Sequence, residues 1–351
     1  MALPLTSPPA TLCILRLSAV GDICHTLPIV RTLQLVWPAT KLTWIIGKLE
    51  HSLVGDIPGI EFIIFDKAKG FRAYRELRQH MLGRHFDVLL HMQMSLRASL
   101  ASLLIPATIR LGFDKQRAND LQWLFTNARV AHKPEQHVMD SLFGFLEALG
   151  INDRRLEWNI PISAAVYDEV NKLLPHKPFL VISPCSSMAY RNWHAEGYAQ
   201  VIDYAAEKYH LPTVLTGGPT DIEHEYAEEI ARLCRHKPVN LIGKTSLKQL
   251  LAILTQAKLL IAPDSGPAHL ATAVNTPVIG LYAATNPERA RPYLCPELVI
   301  NRYPDAVYHK FGKSVSEVPW GTRIRDAGTM QRISTDDVKA MLNQIMVAKP
   351  T

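Results

Sequence analysis

Residues 11–22 read TLCILRLSAVGD: an apolar run, a turn of small residues, and the beginning of a stretch with helical periodicity. A buried strand that passes through a tight turn into a helix is the first half of a βαβ unit. Along the rest of the chain, apolar runs of strand length alternate with amphipathic stretches of helical length, which is typical of parallel sheets covered by helices. The sequence therefore predicts an α/β fold.

Both halves of the chain carry this alternation. In the first half we predict strands at Thr11–Leu17, Leu42–Ile46, Glu61–Phe65, Phe86–His91 and Thr108–Leu111, and helices at His25–Val36, Gly70–Leu82 and Gln136–Leu149. In the second half we predict strands at Phe179–Ser183, Thr213–Thr216, Val239–Ile242, Leu259–Ala262 and Val278–Tyr282, and helices at Ala195–Lys208, Asp221–Arg235, Ser246–Gln256 and Pro267–Val274. A last amphipathic helix is predicted at Ser334–Ala348.

A length of 351 residues favours two domains over one small core. The segment Pro175-His176-Lys177-Pro178 is stiff and rich in turn formers, and we place the domain boundary there. The predicted division is residues 1–175, residues 176–332, and a terminal helix within residues 333–351. Two α/β domains that face each other place a ligand cleft between the carboxyl ends of their sheets.

Composition predicts a soluble, cytoplasmic protein, since 48% of the residues are hydrophobic and no apolar run approaches the roughly 18 residues that span a bilayer. The N-terminus has no basic region, so no signal peptide is expected. The five cysteines are scattered without metal-ligand spacing, as expected of reduced thiols. The net charge of +6 has two interpretations: it has no functional consequence, or it indicates an anionic partner. Such a partner could be a phosphate group or an acidic membrane surface. Nucleic-acid-binding motifs are absent.

Several catalytic motifs are also absent. Gly243-Lys244-Thr245 resembles the end of a P-loop, but Pro238 stands where that motif requires glycine. No GxGxxG follows the first strand, and neither GxSxG nor HExxH occurs. No two aspartates stand two positions apart, so the DxD metal clamp of many sugar-nucleotide enzymes is missing. We therefore expect a mechanism without a metal.

Asp22 stands at the junction between the first predicted strand and its helix. Gly21 permits a tight turn there, and a carboxylate in the first helical turn is favoured by the helix dipole. Asp22 is therefore either a helix-capping residue or, where an electrophile is presented opposite it, a general base.

A second polar cluster lies in residues 261–269 (IAPDSGPAH), which leave a buried strand and enter a helix. The backbone N–H groups of Ser265 and Gly266 belong to the start of that helix, and such a terminus binds anions. An ordinary turn explains the glycine and the prolines, but not the crowding of Asp264, Ser265 and His269. We predict a phosphate-binding site here.

Two further loops follow strands of the second half. Residues 183–193 (SPCSSMAYRNW) combine hydroxyl groups with the guanidinium of Arg191, which suits a diphosphate, although an isolated arginine is more often a surface cation. Residues 216–221 (TGGPTD) form a glycine-rich turn in which the Asp221 carboxylate could accept a hydrogen bond from a ribose hydroxyl.

Together, residues 14–28 (ILRLSAVGDICHTLP) and residues 262–287 (APDSGPAHLATAVNTPVIGLYAATNP) resemble the two signatures of glycosyltransferase family 9, the lipopolysaccharide heptosyltransferases. The resemblance covers essentially the whole chain. It implies a GT-B fold: two Rossmann-like domains with parallel sheets facing an interdomain cleft, and a final helix that packs back on the N-terminal domain. Within the family, residues 183–187 (SPCSS), the DSGPAH segment and Pro319-Trp320 look most like heptosyltransferase I, whose acceptor is a Kdo, or a phosphorylated Kdo, of lipid A.

The resemblance also implies the chemistry. ADP-L-glycero-β-D-manno-heptose is the implied donor, bound mainly by the second domain, with no cofactor and no metal. Asp22 matches the general base of the family, which takes the proton from the Kdo hydroxyl as that hydroxyl attacks the anomeric carbon, so that the configuration inverts. Arg191 matches a basic residue that stabilises the departing ADP.

The remaining implied contacts divide between the two substrates. The donor contacts are Ser186, Ser187, Asp221, Lys244, Thr245, Asp264, Ser265, Gly266 and His269. The acceptor contacts are Ser18, Lys67, Lys69, Arg72, Arg117 and Asn119. Asn119 stands where family members carry an arginine, and Arg117 is expected to compensate for it. The basic stretch that begins at Lys67 is either an acceptor-facing segment or a solvated helix face.

The basic balance fits an acceptor that lies in an anionic inner leaflet, where each lysine or arginine near the surface contributes about 1 kcal/mol of binding. We expect a monomer attached peripherally to the cytoplasmic face of the inner membrane, with no nucleic-acid partner.

Three other functions stay open at this point. The first is a transferase of the same family that adds a later heptose or another sugar to the core. The second is a sugar-nucleotide epimerase on a similar scaffold, and the third is an inactive lipid- or nucleotide-binding module. The presence of both Asp22 and Arg191 argues against the inactive module. An acceptor assay separates the transferases, and donor consumed without any acceptor would favour the epimerase.

Overall fold

The computed structural model describes residues 3–176 and 178–347 and confirms the α/β fold. The chain divides into two compact units, residues 1–161 and residues 162–351. Each unit contains one six-stranded sheet in which every neighbouring pair of strands is parallel. Helices provide most of the connections between these strands.

The first unit follows the predicted alternation and adds short elements to it. Its strands and helices are β1 (Thr11–Leu15), α1 (Val20–Val36), β2 (Lys41–Gly47), α2 (Lys48–Val54), β3 (Ile60–Phe65), α3 (Phe71–Met81), β4 (Phe86–His91), α4 (Leu96–Ser102), β5 (Ala107–Gly112), β6 (Ala128–Arg129) and α5 (Val138–Leu149). Of these, α2, α4 and β6 were not predicted.

The second unit begins with a helix and then alternates in the same way. Its elements are α6 (Ala164–Asn171), β7 (Leu180–Ile182), α7 (Ala195–Tyr209), β8 (Thr213–Leu215), α8 (Asp221–Leu233), β9 (Val239–Asn240), α9 (Leu247–Gln256), β10 (Leu259–Pro263), α10 (Gly266–Ala273), β11 (Val278–Tyr282), α11 (Pro287–Ala290), β12 (Val299–Asn301), α12 (Tyr303–Phe311) and α13 (Thr335–Val347). Within the described residues, no helix combines the length and the hydropathy needed to cross a membrane.

The two sheets have the same doubly wound topology. The order is β3-β2-β1-β4-β5-β6 in the first unit and β12-β11-β10-β7-β8-β9 in the second. In each sheet the winding direction reverses beside the first strand of the unit, between β1 and β4 and between β7 and β10. The loops that follow such a strand pair run in opposite directions, so a crevice opens there at the carboxyl edge of the sheet.

The sheets form the cores of the two units. Strands β7, β8, β10 and β11 are buried at every position, as is β1 from Leu12 onward. Continuous apolar strands of this kind are expected in parallel sheets that are covered on both faces.

The first strand is shorter and the first helix longer than predicted. Strand β1 ends at Leu15 rather than Leu17, because the amide of Leu17 donates to the side chain of Gln93 (2.6 Å) instead of joining the sheet. Helix α1 begins at Val20 rather than His25, with Ala19 as its N-cap. Asp22 therefore lies in the first helical turn.

The division between the units falls after Pro161, not at the predicted Pro175. Helix α6 packs against α9 of the second unit, so the residues ahead of Pro175 belong to that unit. Lys177, part of the predicted boundary, lies outside the described residues.

The final helix belongs to the second unit. Helix α13 packs against α7, β11 and β12, and just ahead of it Ile333 accepts a hydrogen bond from the indole of Trp193 (3.0 Å). Its predicted packing on the N-terminal domain stays a prediction, and Ala348, the last predicted helical residue, lies outside the described part of the chain.

His91, the last residue of β4, makes the first unit sensitive to acid. Its side chain is fully buried, and the Gln122 amide lies 3.1 Å from Nδ1. Burial, helped by the charge of Arg110, lowers the pKa of His91 to about 3. Below the unfolded pKa of about 6.5 the unfolded chain takes up a proton that the folded chain does not, so stability falls by up to about 1.4 kcal/mol per pH unit.

We expect His91→Gln to lower the free energy of unfolding at pH 7. Between pH 6.5 and 4 the free energy of unfolding of the variant should fall less steeply with pH than that of wild type, by the slope that corresponds to about one proton. Urea unfolding at a series of pH values measures this slope. The matched control is His85→Gln, at an exposed position six residues earlier, which should leave the slope unchanged. Parallel pH profiles for wild type and His91→Gln would contradict the assignment.

Candidate functional site

Asp22 is held at the carboxyl edge of the first sheet by two partners. Its Oδ2 atom forms an ion pair with Arg16 and accepts a hydrogen bond from the backbone N–H of Ala19 (3.2 Å). Within the described residues Oδ1 accepts no hydrogen bond, and the side chain is 36% exposed. The predicted capping role is confirmed, and it leaves one carboxylate oxygen able to receive a proton.

Arg16 is itself fixed from several sides. Its side chain is only 9% exposed, and its guanidinium also donates to the carbonyl of Met92 after β4. The Arg16 carbonyl accepts from the indole of Trp44 (3.2 Å). Because β1 lies between β2 and β4, both neighbouring strands contribute to this support. Arg16 is therefore a rigid cation that orients the Asp22 carboxylate.

Two residues that the sequence analysis did not identify complete this region. Gln93 accepts from the backbone N–H groups of Leu17 (2.6 Å) and Ser18 (3.2 Å), and its amide donates to the Ser18 hydroxyl (3.3 Å). Glu50 is buried after β2, where burial raises its pKa and where Lys67, Asp22 and Arg16 also act on it by their charge.

Gly47 allows this close packing. A Cβ at Gly47 would lie 2.4 Å from a carboxylate oxygen of Glu50 and 2.4 Å from the carbonyl of Leu17. Any side chain at this position would push the end of β2 away from the turn that precedes α1.

The other predicted acceptor contacts follow β3 and β5 at the same edge of the sheet. Lys67 is exposed, whereas Lys69 and Arg72 both pair with Glu76 of α3 (2.8 and 3.3 Å). Asn119 is exposed, and its carbonyl accepts from the backbone N–H of Gln122 (3.2 Å).

Arg117, which the sequence analysis expected to compensate for Asn119 at the acceptor, is engaged by several neighbouring residues. It pairs with Asp114 and donates to Gln136 (2.8 Å), Ser141 (2.9 Å) and the carbonyl of Ala131 (2.8 Å). These contacts fasten the loop after β5 to the start of α5. Arg117 is thus engaged within its own unit, and a contact with the acceptor would require it to give up some of these bonds.

The predicted donor contacts follow four consecutive strands of the second sheet. The carboxyl ends of β10, β7, β8 and β9 are side by side. In that order they are followed by the segments with Asp264 to His269, Ser186 to Arg191, Asp221, and Lys244 with Thr245. The strand order therefore places along one edge of the sheet the predicted donor contacts, which are separated by more than eighty positions in the sequence.

At the crevice between β7 and β10, a buried ion pair joins Arg191 and Asp264. The Arg191 guanidinium lies 3.2 Å from both the carboxylate and the carbonyl oxygen of Asp264. The side chains are 16% and 12% exposed. The Arg191 guanidinium also lies 5.6 Å from the centre of the Tyr190 ring, and the Arg325 guanidinium lies 5.7 Å from the same ring centre.

Beside this pair, polar atoms are buried without partners. The Ser265 hydroxyl occupies the N-cap position of α10 but makes no capping bond, and in the described part of the chain neither it nor Arg191 Nε has a hydrogen-bond partner. A buried polar group that lacks a partner typically costs about 1–3 kcal/mol. An arginine, a free hydroxyl and a helix N-terminus in one crevice are the components of an anion site. His269 is buried one turn further along the same helix.

The two adjacent serines of the loop after β7, Ser186 and Ser187, have different environments. The Ser186 hydroxyl donates to the carbonyl of Met188 (2.8 Å) and its backbone N–H donates to Asn192 (2.8 Å), so it shapes the loop. Ser187 is exposed and available to a ligand. At the base of the loop, the Ser183 and Thr216 hydroxyls lie 2.6 Å apart and tie β7 to β8.

After β8, two acids have different environments. Asp221 is exposed at the first position of α8. Glu223, which the sequence analysis did not identify, turns back to accept from the backbone N–H of Gly218 (2.5 Å). A Cβ at Gly217 would lie 2.6 Å from the Glu223 carboxylate, which explains the glycine. The backbone N–H of Glu223 in turn donates to the hydroxyl of Thr220, the N-cap of α8 (3.3 Å).

The last predicted donor contacts lie beyond β9. Lys244 is exposed and donates to the carbonyl of Asn240 (3.0 Å), and Thr245 is half-buried. Across residues 3–176 and 178–347, no group of three or more His, Cys, Asp or Glu side chains is arranged to hold a metal ion.

Comparison with known proteins gives consistent results. A profile of glycosyltransferase family 9 (heptosyltransferase) matches residues 74–320. The lipopolysaccharide core heptosyltransferase OpsX of Haemophilus influenzae is 40% identical over 341 residues, which cover 97% of this chain and 98% of OpsX.

Two solved structures share the fold. A glycosyltransferase family 9 protein of Veillonella parvula superimposes with a TM-score of 0.80 at 22% identity, over 98% of this chain and 99% of that one. Escherichia coli heptosyltransferase WaaC with ADP gives 0.71 at 18% identity, over 95% and 99%. The GT-B fold class expected from the sequence is thereby confirmed.

If the crevice between β7 and β10 binds anions, inorganic pyrophosphate will raise the melting temperature of the protein. At ten times its Kd the stabilisation is about 1.4 kcal/mol, or about 4 °C for a unit of this size. Arg191→Gln should abolish the shift, which differential scanning calorimetry measures.

The matched control is Arg235→Gln, because Arg235 is an exposed arginine of the same unit that pairs with Asp203 and Glu207. This variant should keep the full shift. An equal shift in Arg191→Gln would mean that pyrophosphate binds elsewhere.

Proposed function

Because the chain belongs to glycosyltransferase family 9, the heptosyltransferase family, we propose that it transfers L-glycero-D-manno-heptose from ADP-heptose to Kdo on lipid A. It is an enzyme of the glycosyltransferase type, a heptosyltransferase of lipopolysaccharide core synthesis. The observation that carries the proposal is the buried Arg191–Asp264 pair beside the unpartnered Ser265 hydroxyl.

The donor is ADP-heptose. The crevice supplies a cation, a hydroxyl and the N-terminus of α10 for the diphosphate, while the exposed Asp221 carboxylate is available to a ribose hydroxyl. That WaaC was solved with ADP supports a nucleoside diphosphate in this fold. Arg191 gains a second anionic partner as charge builds up on the leaving group, which stabilises the transition state more than the ground state.

Asp22 is the general base. Its free carboxylate oxygen accepts the proton of the attacking acceptor hydroxyl, whose oxygen forms the new bond to the anomeric carbon. The bond from that carbon to the phosphate oxygen breaks, its electron pair leaves with ADP, and the configuration at carbon inverts. Arg191 balances the charge on ADP, so the proposed mechanism needs no metal.

We propose Kdo or phosphorylated Kdo as the acceptor, and a monomer that works peripherally at the cytoplasmic face of the inner membrane. Exposed cations after β3, in particular Lys67, are suited to an acceptor phosphate. The alternative within the family is addition of a later heptose. Membership of family 9 argues against the epimerase considered from the sequence alone.

ADP release from ADP-heptose in the presence of EDTA tests this function, with lipid A carrying one Kdo, one phosphorylated Kdo or two Kdo units as acceptor. We expect release that depends on the acceptor and continues in EDTA. Asp22→Asn should slow it by about 10²- to 10⁴-fold, the usual contribution of a positioned base.

The outcomes separate the alternatives. No release with any of the three acceptors would contradict transfer to Kdo, and release with a heptosylated acceptor, tried next, would then assign the later step. Release that ceases in EDTA would contradict the metal-free mechanism, and hydrolysis of the donor without any acceptor would contradict transfer.

The role of Arg16 as a positioning residue can be tested separately. Arg16→Met removes the partner that orients Asp22, and a small displacement of a reacting group can cost about 10²-fold in kcat. The KM for ADP-heptose should stay within about twofold, because Arg16 belongs to the other unit from the proposed donor site. Arg16→Lys should recover part of the rate. A loss confined to KM for the donor would contradict this role.

A further inference from the structure

We propose that one surface of the first unit docks directly onto an anionic lipid bilayer. The docking surface consists of the leucines of α4 and of the turn Gln122–Phe125, together with Phe71 and the unpaired basic residues around them. The inference builds on the proposed function, because a lipid-linked acceptor would be presented at such a bilayer. Its physical basis is independent of the reaction.

Helix α4 exposes a stripe of leucine side chains. Leu96, Leu100 and Leu103 are spaced i, i+4 and i+7, which places them on one face of the helix, and each is between 43% and 62% exposed. The opposite face carries Ala98 and Ala101, which are fully buried in the core of the unit. The helix therefore packs with its smallest side chains and presents its largest apolar ones to solvent.

The stripe continues onto a neighbouring turn. Leu121 and Leu124, in and beside the turn Gln122–Phe125, are each 59% exposed. The turn packs against α4, and the backbone N–H of Leu96 donates to the carboxylate of Asp120 (3.1 Å). Five exposed leucines thus lie on two elements that are in contact.

Helix α3 borders the same surface. Phe71, its first residue, is 93% exposed. The Tyr74 hydroxyl donates to the carbonyl of Arg97 in α4 (3.3 Å), and Ala73 of α3 is buried in the same core cluster as Ala98 of α4. An aromatic ring left in water at the end of a helix is suited to the interfacial region of a bilayer.

Unpaired positive charge surrounds the apolar side chains. Arg75 and Arg78 of α3, Arg97 of α4 and Lys115 are all exposed. Among the described residues, no carboxylate lies within salt-bridge distance of any of these four cations. The only acid of α3, Glu76, is already shared by Lys69 and Arg72.

This combination favours a bilayer over a protein partner. Aliphatic side chains that can enter the acyl boundary, next to lysine and arginine that stay with the headgroups, are typical of elements that lie in a membrane interface. Protein interfaces are depleted of charge at their centres, and they bury their cations against specific carboxylates. Charge complementarity therefore points to anionic lipid headgroups.

The test is co-sedimentation of the full chain with vesicles, either phosphatidylglycerol with phosphatidylethanolamine or phosphatidylcholine alone. We expect binding to the anionic vesicles only. Two double variants should each weaken binding to the anionic vesicles by about tenfold or more: Leu100→Gln/Leu103→Gln and Arg75→Gln/Arg78→Gln. Only the arginine variant should reduce the salt dependence of that binding.

The matched control is Leu35→Gln/Leu233→Gln, at two leucines that are exposed elsewhere, on α1 and α8. It should bind like wild type. Equal binding to phosphatidylcholine vesicles would overturn the proposal. Binding as strong as that of wild type by both the leucine and the arginine variant would also overturn it, and is the result expected if this surface serves a protein partner.

Transfer to a deacylated, water-soluble acceptor separates this proposal from the proposed function. The leucine variant should keep transfer to the soluble acceptor and lose transfer to acceptor embedded in vesicles. This combination of results would support docking. Selective vesicle binding without transfer to any acceptor would refute the proposed function and still support the docking surface.

Discussion

The parallel pairing of β7 with β10 is the constraint on which the proposed donor site depends. Leu180 lies beside Leu259 and Ile182 beside Ile261, although these strands are almost eighty residues apart. The pairing sets the loop that carries Arg191 against the one that carries Asp264, in the crevice where the winding of the sheet reverses. The pairing of β1 with β4 does the same for the turn between Arg16 and Asp22, because it brings Met92 to Arg16 and Gln93 to Leu17 and Ser18.

Both crevices hold polar groups in arrangements that stability alone does not favour. A buried ion pair gains little over well-packed apolar residues, and an unpartnered hydroxyl such as that of Ser265 costs free energy. A ligand that bonds to these groups would offset that cost on binding. Asp22 differs, since its bond to Ala19 also caps α1. One carboxylate can thus stabilise the helix and still offer an oxygen to a proton.

The sequence was sufficient for the α/β class and for most of the long elements, because buried parallel strands are continuous apolar runs. It also indicated that Asp22, Arg191 and Asp264 follow the carboxyl ends of buried strands, while their catalytic and binding roles stay predictions. It did not predict Gln93 or Glu50, whose roles depend on which strands become neighbours. Arg117 was expected at the acceptor, but nothing in its local sequence showed that Ala131, Gln136 and Ser141 would take up its guanidinium.

The remaining differences also have local physical causes. Short elements such as α4, with seven residues, have too few positions to show a period. The unit boundary shifted to Pro161 because α6 packs on α9, a tertiary contact that a proline-rich segment fourteen residues later could not reveal. The sequence analysis made no prediction for α4, and only the fold shows that Ala98 and Ala101 occupy the core while the leucines are exposed.

The central claim is that the crevice between β7 and β10 binds the diphosphate of the donor. A crystal structure of the protein with ADP tests it most directly. We expect diphosphate oxygens within hydrogen-bond distance of the Arg191 guanidinium and the Ser265 hydroxyl. ADP bound with its diphosphate away from both groups would contradict the claim.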